Sequence, residues 1–188
     1  IKKAIRPIYA FVYRYVNHFG SFLMNDFWGN VPIWSLRKAI YRIHGMKIGE
    51  KTTINMKTYV KSPELITIGK RCHINRGVIL DGRGGLSIGD NVSISYNVVI
   101  MTGSHKVNSE TFEGNFKPIT INDNAWIGVN ATILNGITIG KGAVVAAGAV
   151  VTKDIQDYDI VAGIPAIKIA HRNENINYTC DNTFAKFL

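Results

Sequence analysis

His105 is the side chain whose type and neighbours best suit it to moving a proton. It closes the run IMTGSH, Ile100 to His105, and a polar segment from Lys106 to Pro118 follows it. An imidazole can take a proton from a hydroxyl at neutral pH, which is the work of a general base. A carbonyl or carboxylate has to hold such a ring in its working tautomer, and Ser104, Glu110 and Glu113 are polar residues nearby in sequence. Upstream, NRGVILDGRGG, Asn75 to Gly85, carries Asn75, Asp81 and Arg83. With Ser104 these side chains could bond the hydroxyls of an acceptor, while the plainer reading of the segment is a glycine-rich turn with a surface ion pair.

Metal chemistry is the competing use of the histidines. His73 and His105 both fall on plausible structural positions, but Lys106 to Pro118 contains no third histidine. A catalytic zinc needs three protein ligands and an open position. Cys72 and Cys180 stand far apart without a CxxC or Cys/His spacing, so neither a structural zinc nor a disulfide framework is expected. No metal is expected, and the cysteine usage suits a reducing, cytoplasmic setting.

Positioning these residues requires a periodic scaffold, and the chain has one. Aliphatic residues recur every six positions in groups of three: Ile48, Ile54, Val60; Ile68, Ile74, Leu80; Ile88, Ile94, Ile100; Ile121, Ile127, Ile133; Ile139, Val145, Val151. Six fits neither a helix at 3.6 nor an alternating strand carried straight on. It describes a short strand and then a corner. A small or slim residue often stands four after the lead, as at Thr52, Thr58, Val92, Val98, Ala125, Ala131, Ala143 and Ala149. Three such units close one triangular turn, and stacked turns bury a column of Ile and Val while each rung pairs its backbone with the next. The expectation is a mainly β chain, a parallel β-helix of about five coils over residues 46–170. The step lengthens between Val60 and Ile68, between Leu80 and Ile88, and most between Ile100 and Ile121. Solenoids tolerate insertions at corners because they project from the stack. The loop 106–118 is thus a protrusion able to wall a site.

Residues 1–45 lie outside the repeat and read as an α-helical segment. Ile5, Ile8, Tyr9, Val12, Val16 and Phe19 fall at helical spacing, and a second helix is expected from Ser35 to His44, with Ser35 as N-cap and Gly45 as stop. Their simplest role is to cover the open end of the first coil. A peripheral membrane contact is the sharper alternative, since Lys2, Lys3, Arg6 and Arg14 accompany many aromatics. Apolar runs there are too broken for a spanning helix, and a chain numbered from Ile1 carries no reading of a leader. Residues 171–188 form a tail of mixed character.

The 188 residues carry a formal charge of +9 with 46% hydrophobic content, a folded chain with an affinity for anions. Nucleic acid is not an expected partner, because no recognised binding motif accompanies the charge.

The sequence resembles the hexapeptide-repeat acyltransferases, whose fold is a left-handed parallel β-helix. TGSH followed by a loop, then PITINDNAWIGVNATIL, AAGAVVTKDI and VAGIPA in that order, is similar to the galactoside, maltose and nodulation acetyltransferases. It is more similar still to the capsular and exopolysaccharide O-acetyltransferases, including the colanic acid type. The resemblance implies a bacterial enzyme that transfers an acetyl group from acetyl-CoA to a sugar hydroxyl in surface-polysaccharide biosynthesis, with His105 as general base and a backbone N–H stabilising the oxyanion. It implies that Trp126, Gly128 and Val129 lie near the pantetheine arm, with Ala147 further along. Thr152 and Lys153 would meet the adenosine and phosphate end, and Gly163 to Lys168, including Pro165, would complete the adenine pocket. Val129 stands where a serine is common, and Ile167 where an arginine is frequent, with Lys168 one place on as a substitute. The family assembles as a homotrimer with sites between subunits, and a cytoplasmic or inner-membrane-face location follows from the acceptor. The rivals are an amino-sugar N-acetyltransferase, a non-catalytic solenoid and, on the same fold, a zinc carbonic anhydrase.

Overall fold

The computed structural model describes residues 19–180; most of the expected first helix, and residues 181–188 of the tail, lie outside the described residues. Every lead aliphatic from Ile48 to Val151 is buried, and so is the residue four places after it wherever the period runs on unbroken, from Thr52 to Ala149; the exceptions, Glu64, Gly84 and Ser104, stand where the step lengthens. Two inward positions per hexapeptide, not one, fill the column. Between them the residue three after the lead takes a positive φ: Lys51, Lys57, Arg71, Gly77, Asn91, Asn97, Asn124, Asn130, Gly136, Gly142 and Gly148. Asn and Gly dominate because they reach the left-handed region at least steric cost. One such residue at a corner turns the chain into the next strand.

The short strands stack in parallel into three faces. The first runs Lys47–Ile48, Ile66–Ile68, Leu86–Ile88, Ile119–Ile121 and Thr138–Ile139, and the third runs Tyr59–Lys61, Ile79–Asp81, Val99–Ile100, Thr132–Ile133 and Val150–Val151. The second runs Thr53–Ile54, His73–Ile74, Ser93–Ile94, Trp126–Ile127 and Val144–Val145, then continues into Asp159–Ala162 and Ile167–His171. Lead residues pair in register, Ile74 with Ile94 and Ile127 with Val145 for example. The five coils counted from sequence are followed by part of a sixth: Ile155 bridges Ile139 and Val161 pairs with Val145. The antiparallel strand Ile167–His171 then covers that last edge.

The other end is closed by residues preceding the repeat. Asn25 is buried and imitates a strand residue: its Nδ2 donates to the Val60 carbonyl at 3.0 Å and its Oδ1 accepts from the Val60 N–H at 2.7 Å. The helix Trp34–Ile43 lies across the first coil, where Arg37 donates to the Ile54 carbonyl at 2.9 Å and Arg42 to the Ile48 carbonyl at 2.7 Å. Backbone groups that a missing coil would have paired are thereby satisfied. The helix begins one residue before the expected Ser35, with Ile33 at the N-cap position and no side-chain cap bond. Ser35 is exposed and within the first turn, so the tertiary contact of Arg37 sets the helix and not a cap. Gly45 ends it as expected, at φ +92°.

Candidate active site

The long interruption folds as an antiparallel hairpin, Gly103–His105 against Gly114–Phe116, projecting where the third face of the third coil should turn into the first face of the fourth. His105 pairs with Gly114 at its outer end and is exposed. Its Nδ1 lies 2.8 Å from the carbonyl oxygen of Phe112, and its ring stacks on the Phe112 ring at 3.7 Å between centroids and 13° between planes. A carbonyl can only accept, so Nδ1 carries the hydrogen and Nε2 keeps its lone pair. This is the tautomer a general base requires.

The orienting group is therefore a main-chain carbonyl, and none of the three side chains proposed from sequence. Glu113 is held by Lys106 at 2.6 Å. Ser104 instead bonds across the hairpin to the Asn115 carbonyl at 3.3 Å and accepts from Asn135 at 3.1 Å. Asn135 also donates to the Asn115 carbonyl at 3.1 Å, so a residue of the fourth coil braces the hairpin that leaves the third. Phe112 has φ +53°, a costly conformation for a bulky residue that turns its carbonyl back toward the imidazole. Sequence reasoning missed Phe112 and Asn135. Asn135 had one visible signal, a polar residue immediately before the corner Gly136 of the coil next to the loop.

Asp81 and Arg83 form the root of the hairpin. The Asp81 carboxylate is buried and receives Arg83 Nε at 2.8 Å, Arg83 Nη2 at 3.0 Å and the Gly103 N–H at 3.0 Å. Burial pushes its carboxyl up, and the Arg83 side chain, the Arg83 and Gly103 N–H groups and the Arg83 charge together more than offset that and hold it below the usual range. Asp81 is fully engaged inside the protein, which makes it a positioning residue in place of the expected sugar contact. The Arg83 guanidinium also stacks 5.2 Å from the Phe116 ring centroid, is partly exposed, and reaches the strand that carries His105. Asn75 sits on the corner between the second and third faces; its Oδ1 lies 3.0 Å from His73 Nε2, and its Nδ2 donates to the Ile94 carbonyl at 3.1 Å. His73, the other candidate metal ligand, is on the second face and bonds Thr53 and Asn75. Burial pushes its imidazole below the ordinary range, against a smaller raising effect of Asn75. His105 belongs to a different corner, so the two histidines do not meet within one chain.

The residues expected along the coenzyme fall on two edges of the coil. Trp126, Gly128, Val129 and Ala147 mark the second-to-third corner of the fourth and fifth coils, where the Gly148 N–H donates to the Val129 carbonyl at 2.8 Å. Trp126 is half exposed, and its Nε1 lies 3.3 Å from Ser95 Oγ. A Cβ on Gly128 would stand 2.6 Å from the Ala147 nitrogen, whereas one on Gly148 would meet nothing within 4 Å. Gly128 is thus dictated by coil-to-coil contact, and the open backbone at Ala147–Gly148 is the part of the corner against which an extended amide-bearing arm can lie. Thr152 and Lys153 are exposed at the next corner, after the fifth coil, and Pro165 is exposed beyond it. Lys168 is exposed and pairs with Asp159, its Nζ 2.6 Å from Asp159 Oδ1. One chain presents His105 and the Trp126–Ala147 edge at separate corners.

Among the described residues no cluster of three His, Cys, Asp or Glu side chains could hold a metal ion.

Known proteins resemble this arrangement. A family model described as the hexapeptide repeat of succinyl-transferase matches residues 118–153. The chain is 34% identical over 141 residues to the galactoside O-acetyltransferase of Escherichia coli K12, covering 73% of this chain and 70% of that protein. It is 31% identical over 147 residues to the putative colanic acid biosynthesis acetyltransferase WcaF of the same organism, covering 78% and 81%. Among solved structures, the hexapeptide-repeat acetyltransferase VCA0836 of Vibrio cholerae, complexed with acetyl coenzyme A, superposes with a TM-score of 0.78 at 28% identity, covering 82% of this chain and 86% of that one.

Proposed function

The chain belongs to the hexapeptide-repeat acetyltransferases, and from that premise we propose that it transfers an acetyl group from acetyl-CoA to a hydroxyl of a sugar destined for a surface polysaccharide. The observation that carries this reading is the 2.8 Å contact of His105 Nδ1 with the Phe112 carbonyl on an exposed hairpin, from which the tautomer with a lone pair on Nε2 follows.

Acetyl-CoA, the co-substrate, supplies the acetyl group as a thioester. Nε2 of His105 takes the proton of the acceptor hydroxyl while that oxygen bonds to the acetyl carbon, and the same imidazole returns the proton to the departing sulfur. Phe112 keeps the ring in plane with its work, and the Asp81–Arg83 pair fixes the strand from which His105 projects. The open backbone at Ala147–Gly148 and the exposed Trp126 suit the coenzyme arm, with Thr152 and Lys153 beyond. Because His105 and that edge occupy different corners, the complete site is composed between neighbouring copies, for which a ring of three is the closed arrangement. The reaction belongs to the cytoplasmic side, where acetyl-CoA is made.

His105→Ala should leave folding and acetyl-CoA binding intact while lowering turnover by about 10²-fold or more. Thiol release from acetyl-CoA, measured with a panel of free sugars, sugar nucleotides, amino sugars and lipid-linked oligosaccharides, tests the reading. Release with hydroxyl acceptors supports it; release confined to amino sugars replaces it with N-acetylation, and near-normal turnover of the variant removes His105 from the base role.

A further inference from the structure

The net charge of the protein is concentrated early in the sequence. Residues 1–61 contain eleven Lys and Arg against two Asp and Glu, an excess of nine, while residues 62–188 contain eleven of each. The whole formal charge of +9 thus falls in the first third of the sequence, and residues 19–61, which form the cap and the first coil, hold seven Lys and Arg against Asp26 and Glu50. The coils expected to hold the coenzyme phosphates contribute none of it, so gripping CoA does not account for the excess. Arg42, Lys47, Lys51, Lys57 and Lys61 are exposed there, with Asp26, Glu50 and, against Gly45, Glu64 as the acidic neighbours.

The same end exposes apolar side chains in an unusual disposition. The helix Trp34–Ile43 turns Arg37 and Tyr41 inward onto the first coil and packs Trp34 and Ile40 against the core. Ile33, Leu36 and Ile43 occupy its outer side, at spacings of three and seven residues, with Ile33 58% and Ile43 76% exposed. The preceding segment repeats it: Met24, Asn25 and Gly29 are buried, and Phe19, Phe22 and Phe27 point out, with Phe19 and Phe22 stacked. Apolar side chains among cations on one end are the composition of a surface that partitions into the headgroup region of an anionic bilayer.

Position along the coil gives that surface a use. Coils are stacked about 4.8 Å apart. Arg83 and the hairpin with His105 leave the second and third coils, while Trp126, Ala147 and Lys153 lie on the fourth and fifth. The acceptor side is therefore the side nearer the cap, on the order of 10 Å from the first coil.

We propose that the capping end, residues 19–61, is a docking surface for an anionic lipid bilayer, which sets the acceptor side of the coil at headgroup level. The docking itself rests on the exposed cations and the exposed apolar side chains of this end; only its use for acceptors at a membrane rests on the acetyltransferase reading.

Flotation of the full chain with vesicles of mixed phosphatidylglycerol and phosphatidylcholine, compared with phosphatidylcholine alone, tests this. The expected result is flotation only with the anionic vesicles, reversed by raised salt and reduced about tenfold in Phe22→Ser/Phe27→Ser/Ile33→Ser/Ile43→Ser. A second variant, Lys47→Glu/Lys51→Glu/Lys57→Glu, should lose flotation by the charge route alone, with thermal unfolding confirming that it is folded. Thiol release with soluble acceptors should be unchanged in both, so loss of docking and loss of the enzymatic reading are read separately. Flotation equal on both vesicle types, none on either, retention of a single-stranded RNA probe without flotation, or a drop in oligomer size as the only effect of the apolar variant would each overturn the proposal.

Discussion

At the residue scale the imidazole of His105 depends on one neighbour that contributes twice, by a carbonyl and by a ring. The two contributions separate in Phe112→Gly. Glycine takes φ +53° without strain, so the carbonyl stays and stability holds or rises slightly; the stacked ring is lost. Turnover should fall about tenfold with KM for acetyl-CoA unchanged, because a loosened base is misplaced by a fraction of an ångström. Steady-state kinetics beside thermal unfolding would read both. Asp81→Asn tests the root of the hairpin. It removes a buried carboxylate bonded to Arg83 and the Gly103 N–H, and breaking such a pair costs several kcal/mol when both partners are buried. Arg83 is 31% exposed at its side chain, so solvent screening brings the expected loss down to about 1–3 kcal/mol. Since the Asp81 carboxyl is held below its ordinary range, its contribution is complete above the unfolded carboxylate value and disappears as pH falls through the depressed one. Denaturant melts of the two proteins should converge in acid.

At the scale of elements, the corner conformation and the end caps govern the coil. The cap has a single-residue test in Asn25→Ala, which strips partners from both the N–H and the carbonyl of Val60. Leaving two buried main-chain groups unpaired should destabilise by about 2–4 kcal/mol, seen as a lower unfolding midpoint, with activity kept at temperatures where the chain is folded. The far edge is held differently. Asp159 gathers Lys168 and His171, and His171 also meets Glu174 at 3.2 Å. The bond to Asp159 first, and that to Glu174 second, raise the His171 imidazole above its ordinary range. A raised histidine stabilises fully below its unfolded value, about 6.5, and loses that effect as pH rises through the folded one. Amide exchange across Ile167–His171, corrected for intrinsic rate, should speed up as pH passes through neutrality, and His171→Gln should flatten that dependence.

At the scale of the molecule, the solenoid sorts function along its axis. Charge and outward apolar residues lie at the capped end, the hairpin with His105 in the middle, and the open-backbone corner further on. A compact globule would have mixed these along the sequence; a coil keeps sequence order as spatial order, because each turn contacts only the turns beside it. This is also why so much was legible beforehand. Burial of Ile54, Ile94 and Val145 follows from a period of six that no other short-range structure satisfies, and His105 stands out because the period stops there.

Sequence alone determined the coil, its inward aliphatics and the protrusion at 106–118, and it singled out His105 as the residue beside that protrusion, since all four are periodic or interrupt a period. Contacts between segments that no local pattern links had to come from the tertiary structure: Asn25 replacing a strand beside Val60, Asn135 bracing the hairpin of a neighbouring coil, Asp81 turned inward onto Arg83, and Lys168 paired with Asp159. The Phe112 carbonyl that fixes the imidazole was hidden for a different reason. Every residue has a carbonyl, and only the left-handed backbone at Phe112 aims this one at Nδ1.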